Sequence, residues 1–72
     1  MIVYVLELNE PYEGSRVYDI YSSEESALSE GLRLTMEQDD LEYPPEYVIN
    51  DRSIMIKGRY DYYTITPREV KE

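Results

Sequence analysis

Apolar positions follow a period of two at both ends of the chain and a helical period between them. Ile2-Val-Tyr-Val-Leu-Glu-Leu8 is rich in β-branched and aromatic residues, which suit a pleated surface. Ile2, Tyr4, Leu6 and Leu8 share one face, and Val3 and Val5 make the other face apolar too, so this strand belongs inside a sheet. Asn9-Glu-Pro-Tyr-Glu-Gly14 reads as a loop by its Asn, Pro and Gly. Arg16-Val-Tyr-Asp-Ile-Tyr21 returns as the second strand of an antiparallel hairpin.

Ser22-Ser-Glu-Glu25 predicts a helix start of the capping-box kind. A serine oxygen would accept from a first-turn amide while Glu25 reaches back, and Glu24 and Glu25 suit the positive end of the helix dipole. The helix runs from about Ser23 to Gln38, with Ala27, Leu28, Gly31, Leu32 and Thr35 as its inward stripe and Leu34 and Met36 at the borders. Gly31 costs about 1 kcal/mol of helix propensity relative to alanine, and close approach to a sheet explains its presence. An acidic loop ends the helix, and Pro44-Pro45 forbids its continuation.

Tyr47-Val-Ile49 predicts a short strand, then an Asn50-Asp51 turn. Ser53–Lys57 and Tyr60–Thr66 form a hairpin around Gly58, with Pro67 as its stop and residues 68–72 as a frayed tail. The expected fold is α+β: one domain over residues 1–72, ββαβββ in order, an antiparallel sheet of four to five strands with one helix packed on it. A 72-residue chain has room for one core.

Charge changes the picture more than length does. The chain carries 16 acids and 7 bases, a net charge of −9. Residues 1–50 hold twelve of the acids with Arg16 and Arg33 as their only bases, whereas residues 51–72 are nearly balanced. Direct binding to nucleic acid or an anionic membrane needs a positive surface and is disfavoured. No apolar stretch approaches the ~20 residues that span a bilayer, and the N-terminus lacks a basic leader, so a cytoplasmic protein is expected.

The chain has no Cys and no His, which removes thiolate and imidazole nucleophiles, bases and metal ligands. No phosphate-binding glycine loop or calcium loop is present. Asp39-Asp40 and Glu24-Glu25 are pairs in surface-like contexts, which suit solvated acids and not acid/base work. The expectation is a binding protein, not an enzyme, without metal or cofactor.

Two surfaces could bind. Acids recur through loop, helix and loop, and residues seven apart on a helix lie about 10 Å apart. Phosphates along one DNA strand are spaced on a comparable scale, roughly 7 Å. Glu24, Glu25, Glu30, Glu37, Asp39, Asp40 and Glu42 are therefore candidates for an acidic surface that a basic DNA-binding protein would mistake for DNA. The alternative is a protein-interaction module using a tyrosine-rich sheet face or a strand edge, with acidity serving solubility alone. On stability grounds a homodimer through the Ser53–Thr66 hairpin is expected, with Tyr60, Tyr62 and Tyr63 as contacts.

Val3-Tyr-Val-Leu-Glu7, Tyr12-Glu-Gly14 and Ile20-Tyr-Ser-Ser-Glu-Glu-Ser-Ala27 resemble the opening of small, often phage-encoded ββαβ domains of unknown function. That likeness covers about the first 35 residues and implies fold alone. In size and acidity the whole chain is similar to the host-takeover proteins of SPO1-like Bacillus phages, among them a DNA mimic that blocks the histone-like protein HU. This second resemblance implies a phage origin, an HU-like partner and a dimer. The five bases of residues 51–72 depart from an all-acidic mimic and imply that this end faces away from the partner.

Overall fold

Leu6 and Leu8 of the first strand, with Tyr4 beside them, pack under the helix, and that contact organises the rest. The structure, a computed structural model, describes residues 1–71. Its elements are β1 (Ile2–Glu10), β2 (Gly14–Tyr21), α1 (Glu24–Gln38), β3 (Tyr47–Asn50), β4 (Ser53–Lys57) and β5 (Tyr62–Glu69). The five strands make one antiparallel sheet in the order β2-β1-β5-β4-β3, with α1 packed on one face. The α+β fold in ββαβββ order is the expected one.

Leu6 and Leu8 from β1, Ile54 and Ile56 from β4, and Tyr63 and Ile65 from β5 form the sheet side of the core. Ala27 and Leu34 close it from the helix. Each buried leucine or isoleucine among them contributes about 1.5–3 kcal/mol by leaving water. The helix is rolled slightly from its expected orientation. Leu34 is buried with Ala27, Gly31 and Thr35, while Leu28 and Leu32 are half-buried at the rim. Thr35 tolerates burial because its hydroxyl donates to the Gly31 carbonyl at 2.9 Å.

Gly31 sits where the helix comes nearest the sheet. A Cβ there would lie 2.5 Å from Cδ1 of Ile56 and 3.4 Å from Cδ1 of Leu6. Both neighbours are fully buried, so the space that removes the side chain at 31 is the space they fill.

Five expectations need correction. The Ser53–Thr66 hairpin is interior to the sheet, with β5 its middle strand, so it offers no free edge; the edges are β2 and β3. Tyr63 is 2% exposed and faces the helix, which removes it as a dimer contact. Pro67 lies within β5 and does not stop it. The Val70 amide donates to the Met1 carbonyl at 2.8 Å, and alternation from there turns the Pro67 nitrogen away from β1. On that side β4 has already begun its turn, so no ladder bond is lost. Of the expected tail, Arg68 and Glu69 are thus strand, and Glu72 lies outside the described residues. Lastly, the N-cap is Ser23, whose oxygen accepts from the Ser26 amide at 3.2 Å; position N3 is Ser26, so the reciprocal Glu25 bond of a capping box is not made.

Replacing Gly31 by valine should lower unfolding stability by about 2 kcal/mol, because overpacking against Ile56 and Leu6 outweighs any helix-propensity gain. Urea denaturation of the purified variant measures it, and a variant as stable as wild type would show that the helix can lift away freely.

Candidate functional site

The seven candidate acids lie on or just beyond α1, on the side of the sheet that the helix covers. Glu24 and Glu25 occupy its first turn, both exposed, where the dipole favours them. Glu24 and Glu37 stand about 20 Å apart along the axis. They do not form one bare row. Arg33, the helix's sole cation, donates from Nε to Glu30 at 3.0 Å and from Nη1 to Glu37 at 2.9 Å. The hydrogen bond from Arg33 is the main reason that the Glu30 carboxyl lies below its ordinary pKa; the same pairing raises the Arg33 guanidinium. The middle of the helix therefore carries a partly cancelled triad, and the uncompensated acids sit at its two ends.

At the C-terminal end, backbone geometry and charge work against each other. The Leu41 amide donates to the Met36 carbonyl at 2.9 Å, closing the helix with Asp40 in the left-handed region at φ 53°. This is the position glycine normally takes. No basic residue occupies the last turn, so Asp39 and Asp40 add negative charge to the negative end of the dipole. Asp39 is committed to structure: its Oδ2 accepts from the Arg59 amide at 2.7 Å and ties the helix end to the β4–β5 turn. Asp40 and Glu42 are exposed and make no hydrogen bond or ion pair among the described residues.

The tyrosines divide by face. Tyr63 lies in the core, its hydroxyl accepting from Gln38 Nε2 at 3.0 Å, and burial pushes its phenol pKa up. A register shift between Leu6 and Glu7 leaves Tyr18 as an extra residue of β2. Tyr18 thereby meets Tyr63 edge to face, with ring centroids 6.5 Å apart. Tyr21 is partly buried against the core beside Glu30 and Asp19; burial first, then those charges, raise its pKa. Tyr62 faces the opposite side of the sheet, and Tyr60 is exposed in the β4–β5 turn.

Sequence reasoning anticipated an exposed sheet face and read it as tyrosine-rich; which residues make it up is what it missed. Strand alternation places Val3, Val5, Val17, Ile20, Val48, Met55 and Tyr62 there; no element among the described residues covers them, and Val5 is buried by its neighbours within the face, whereas Val17, Ile20, Val48 and Tyr62 are exposed. Its charges are Glu7, Glu46, Lys57 and Arg68, which cancel. The entire net charge of −9 is thus carried by the helix side, the turns and the termini. The signal was present in the doubly apolar β1, but which other residues join it depends on register.

Between the β1–β2 and β4–β5 turns lies an open depression of about 440 Å³ lined by Glu10, Pro11, Tyr12, Glu13, Tyr60 and Asp61. Arg16 pairs with Glu10 beside it at 3.1 Å. Among the described residues no three acids are grouped to hold a metal ion, and no helix is long and apolar enough to cross a membrane. Comparison with protein-family models, curated proteins and solved structures finds no match to this chain.

Asp40→Gly should raise stability by about 1 kcal/mol, since it relieves a left-handed aspartate and removes charge from the wrong end of the dipole. Thermal unfolding followed by circular dichroism reads this directly, with a lower Tm as the contrary result. The Arg33 pairing gives a pH test. Because the folded Glu30 pKa is depressed, its contribution is present above the ordinary glutamate range and lost as pH falls through the folded value. The stability gap between wild type and Arg33→Gln should accordingly be present at pH 7 and close under acid.

Proposed function

We propose that the protein is an acidic DNA mimic that binds a basic DNA-binding protein, of the HU-like nucleoid type, and occupies its DNA site. The observation that carries this reading is charge segregation: a net −9 confined to one side, the turns and the termini, over a neutral sheet face. The unfavourable acids at the C-terminal end of α1 point the same way, because Asp40 and Glu42 add negative surface at a position where folding gains nothing from them. A rigid, one-sided negative field steers a positive groove onto it and competes with phosphate for the same lysines and arginines.

With Arg33 holding Glu30 and Glu37, the leading contacts are Glu24 and Glu25 at one end of the helix and Asp40 and Glu42 at the other. Glu30 and Glu37 contribute through the net charge of their triad, and Asp39 chiefly through the turn it holds. In this proposal the protein binds no nucleic acid itself and performs no chemistry. The second reading, a module that docks through its sheet, draws on the uncovered neutral face.

The test is competition on duplex DNA. Added to a complex of DNA with an HU-like protein, the wild type should release the DNA, and raising salt should abolish that release steeply. Changing Glu24, Glu25 and Glu42 to Gln and Asp40 to Asn should relieve inhibition at least tenfold, about 1.4 kcal/mol or more, while far-ultraviolet circular dichroism stays unchanged. Inhibition that survives both the fourfold change and high salt would overturn charge mimicry.

A further inference from the structure

We infer that the uncovered face of the sheet is a homodimer interface, in which two copies stack face to face with their strands aligned. Three observations carry it. The first is surface. The chain exposes 5438 Å², whereas a compact monomer of 8.6 kDa exposes about 4,700 Å². Its radius of gyration, 12.0 Å, likewise exceeds the roughly 11 Å of a compact chain this long. The open face of five strands measures about 24 Å by 25 Å, on the order of 600 Å² before side-chain relief. A standard interface buries about 800 Å² per partner, so the face matches both the excess surface and the need.

The second observation is charge. A −9 chain repels its own kind unless the contact is neutral and the charges stay apart. The open face is neutral and α1 lies on the far side. With sheets about 10 Å apart and each helix about 10 Å further out, the two helices stand roughly 30 Å from one another. That is several Debye lengths at physiological salt.

The third is pattern. Val17, Glu7, Thr64, Met55 and Val48 form one row across all five strands, with apolar residues at the two flanks and Glu7 off centre. A two-fold axis running along the middle strand, β5, lays β1 over the second copy's β4 and β2 over its β3. Val17, more than half exposed in the single chain, then covers the second copy's Val48, and Ile20, equally exposed, lies beside it over Asn50. Glu7, which forms no ion pair among the described residues, lies over the second copy's Met55, with Lys57 two residues along the same strand and within reach of its long side chain. The contact is self-complementary, as two-fold symmetry requires, and keeps the aligned strand directions that stacked sheets adopt. It replaces the C-terminal hairpin edge as the place where copies meet. Tyr62 remains part of the contact, and Tyr60 and Tyr63 do not.

Sedimentation equilibrium at micromolar concentration tests this on the full chain. Wild type should show the mass of two chains. Val17→Lys with Ile20→Lys should raise the dimer dissociation constant by about tenfold or more, with circular dichroism unchanged because both positions are exposed. Glu7→Lys and Lys57→Glu should each weaken the dimer, and the two together should restore it. A single-chain mass for wild type up to high concentration overturns the inference. So does a dimer indifferent to the Val17/Ile20 change but lost on Ile49→Lys, which would put the contact at the β3 edge. A failed charge-swap rescue overturns the aligned arrangement. These residues are separate from the acids tested by DNA competition, so each idea can fail without the other.

Discussion

The close approach of α1 to the sheet at Gly31 is the contact on which the rest depends. One helix supplies the whole second layer of a 72-residue fold, and its Ala27, Gly31, Leu34 and Thr35 must reach Leu6, Ile56 and Ile65 with no other element to help. A side chain at 31 would force Ile56 to shift within a core that is already filled. With no cysteine or histidine in the chain, and no cluster of acids to hold a metal among the described residues, that packing carries most of the stability.

The same contact creates the asymmetry that bears on function. A single helix can cover one face of a five-stranded sheet and not the other. Acids gather on the covered side, where the outer surface of α1 and the adjoining loops present them to solvent. The bare side holds β-branched residues, threonines and balanced charge. The proposed mimicry and the proposed dimer both draw on this division: in the first the acidic surface meets a positive partner, in the second the neutral surface meets its own copy.

The negative surface is not uniform, and its details follow from side-chain chemistry. Arg33 sits one turn from both Glu30 and Glu37 and reaches each, so the helix centre is partly neutralised. Asp39 gives its carboxylate to a backbone amide of the neighbouring turn. Asp40 accepts a left-handed backbone at the helix end where glycine would be easier. Of seven acids on one side, these interactions leave Glu24, Glu25, Asp40 and Glu42 the most free.

Local signals in the sequence determined the elements and their order. Period-two and period-3.6 hydrophobicity, the serines before Glu24 and the Pro44-Pro45 break act within a few residues, so β4 and the helix were legible almost to the residue. The acidity of residues 1–50 was equally plain, because charge needs no fold to be counted. Tertiary structure alone decided what depends on distant partners. The strand order made β5 central and β2 and β3 the edges, which buried Tyr63 and removed the expected hairpin edge. Pairing with β1 carried β5 through Pro67, where proline's missing donor points away from the ladder. The register shift at Leu6/Glu7 turned Tyr18 onto Tyr63, a choice no alternation pattern in β2 encodes. The neutral open face has the same origin, since its residues come from five strands and only register brings them together.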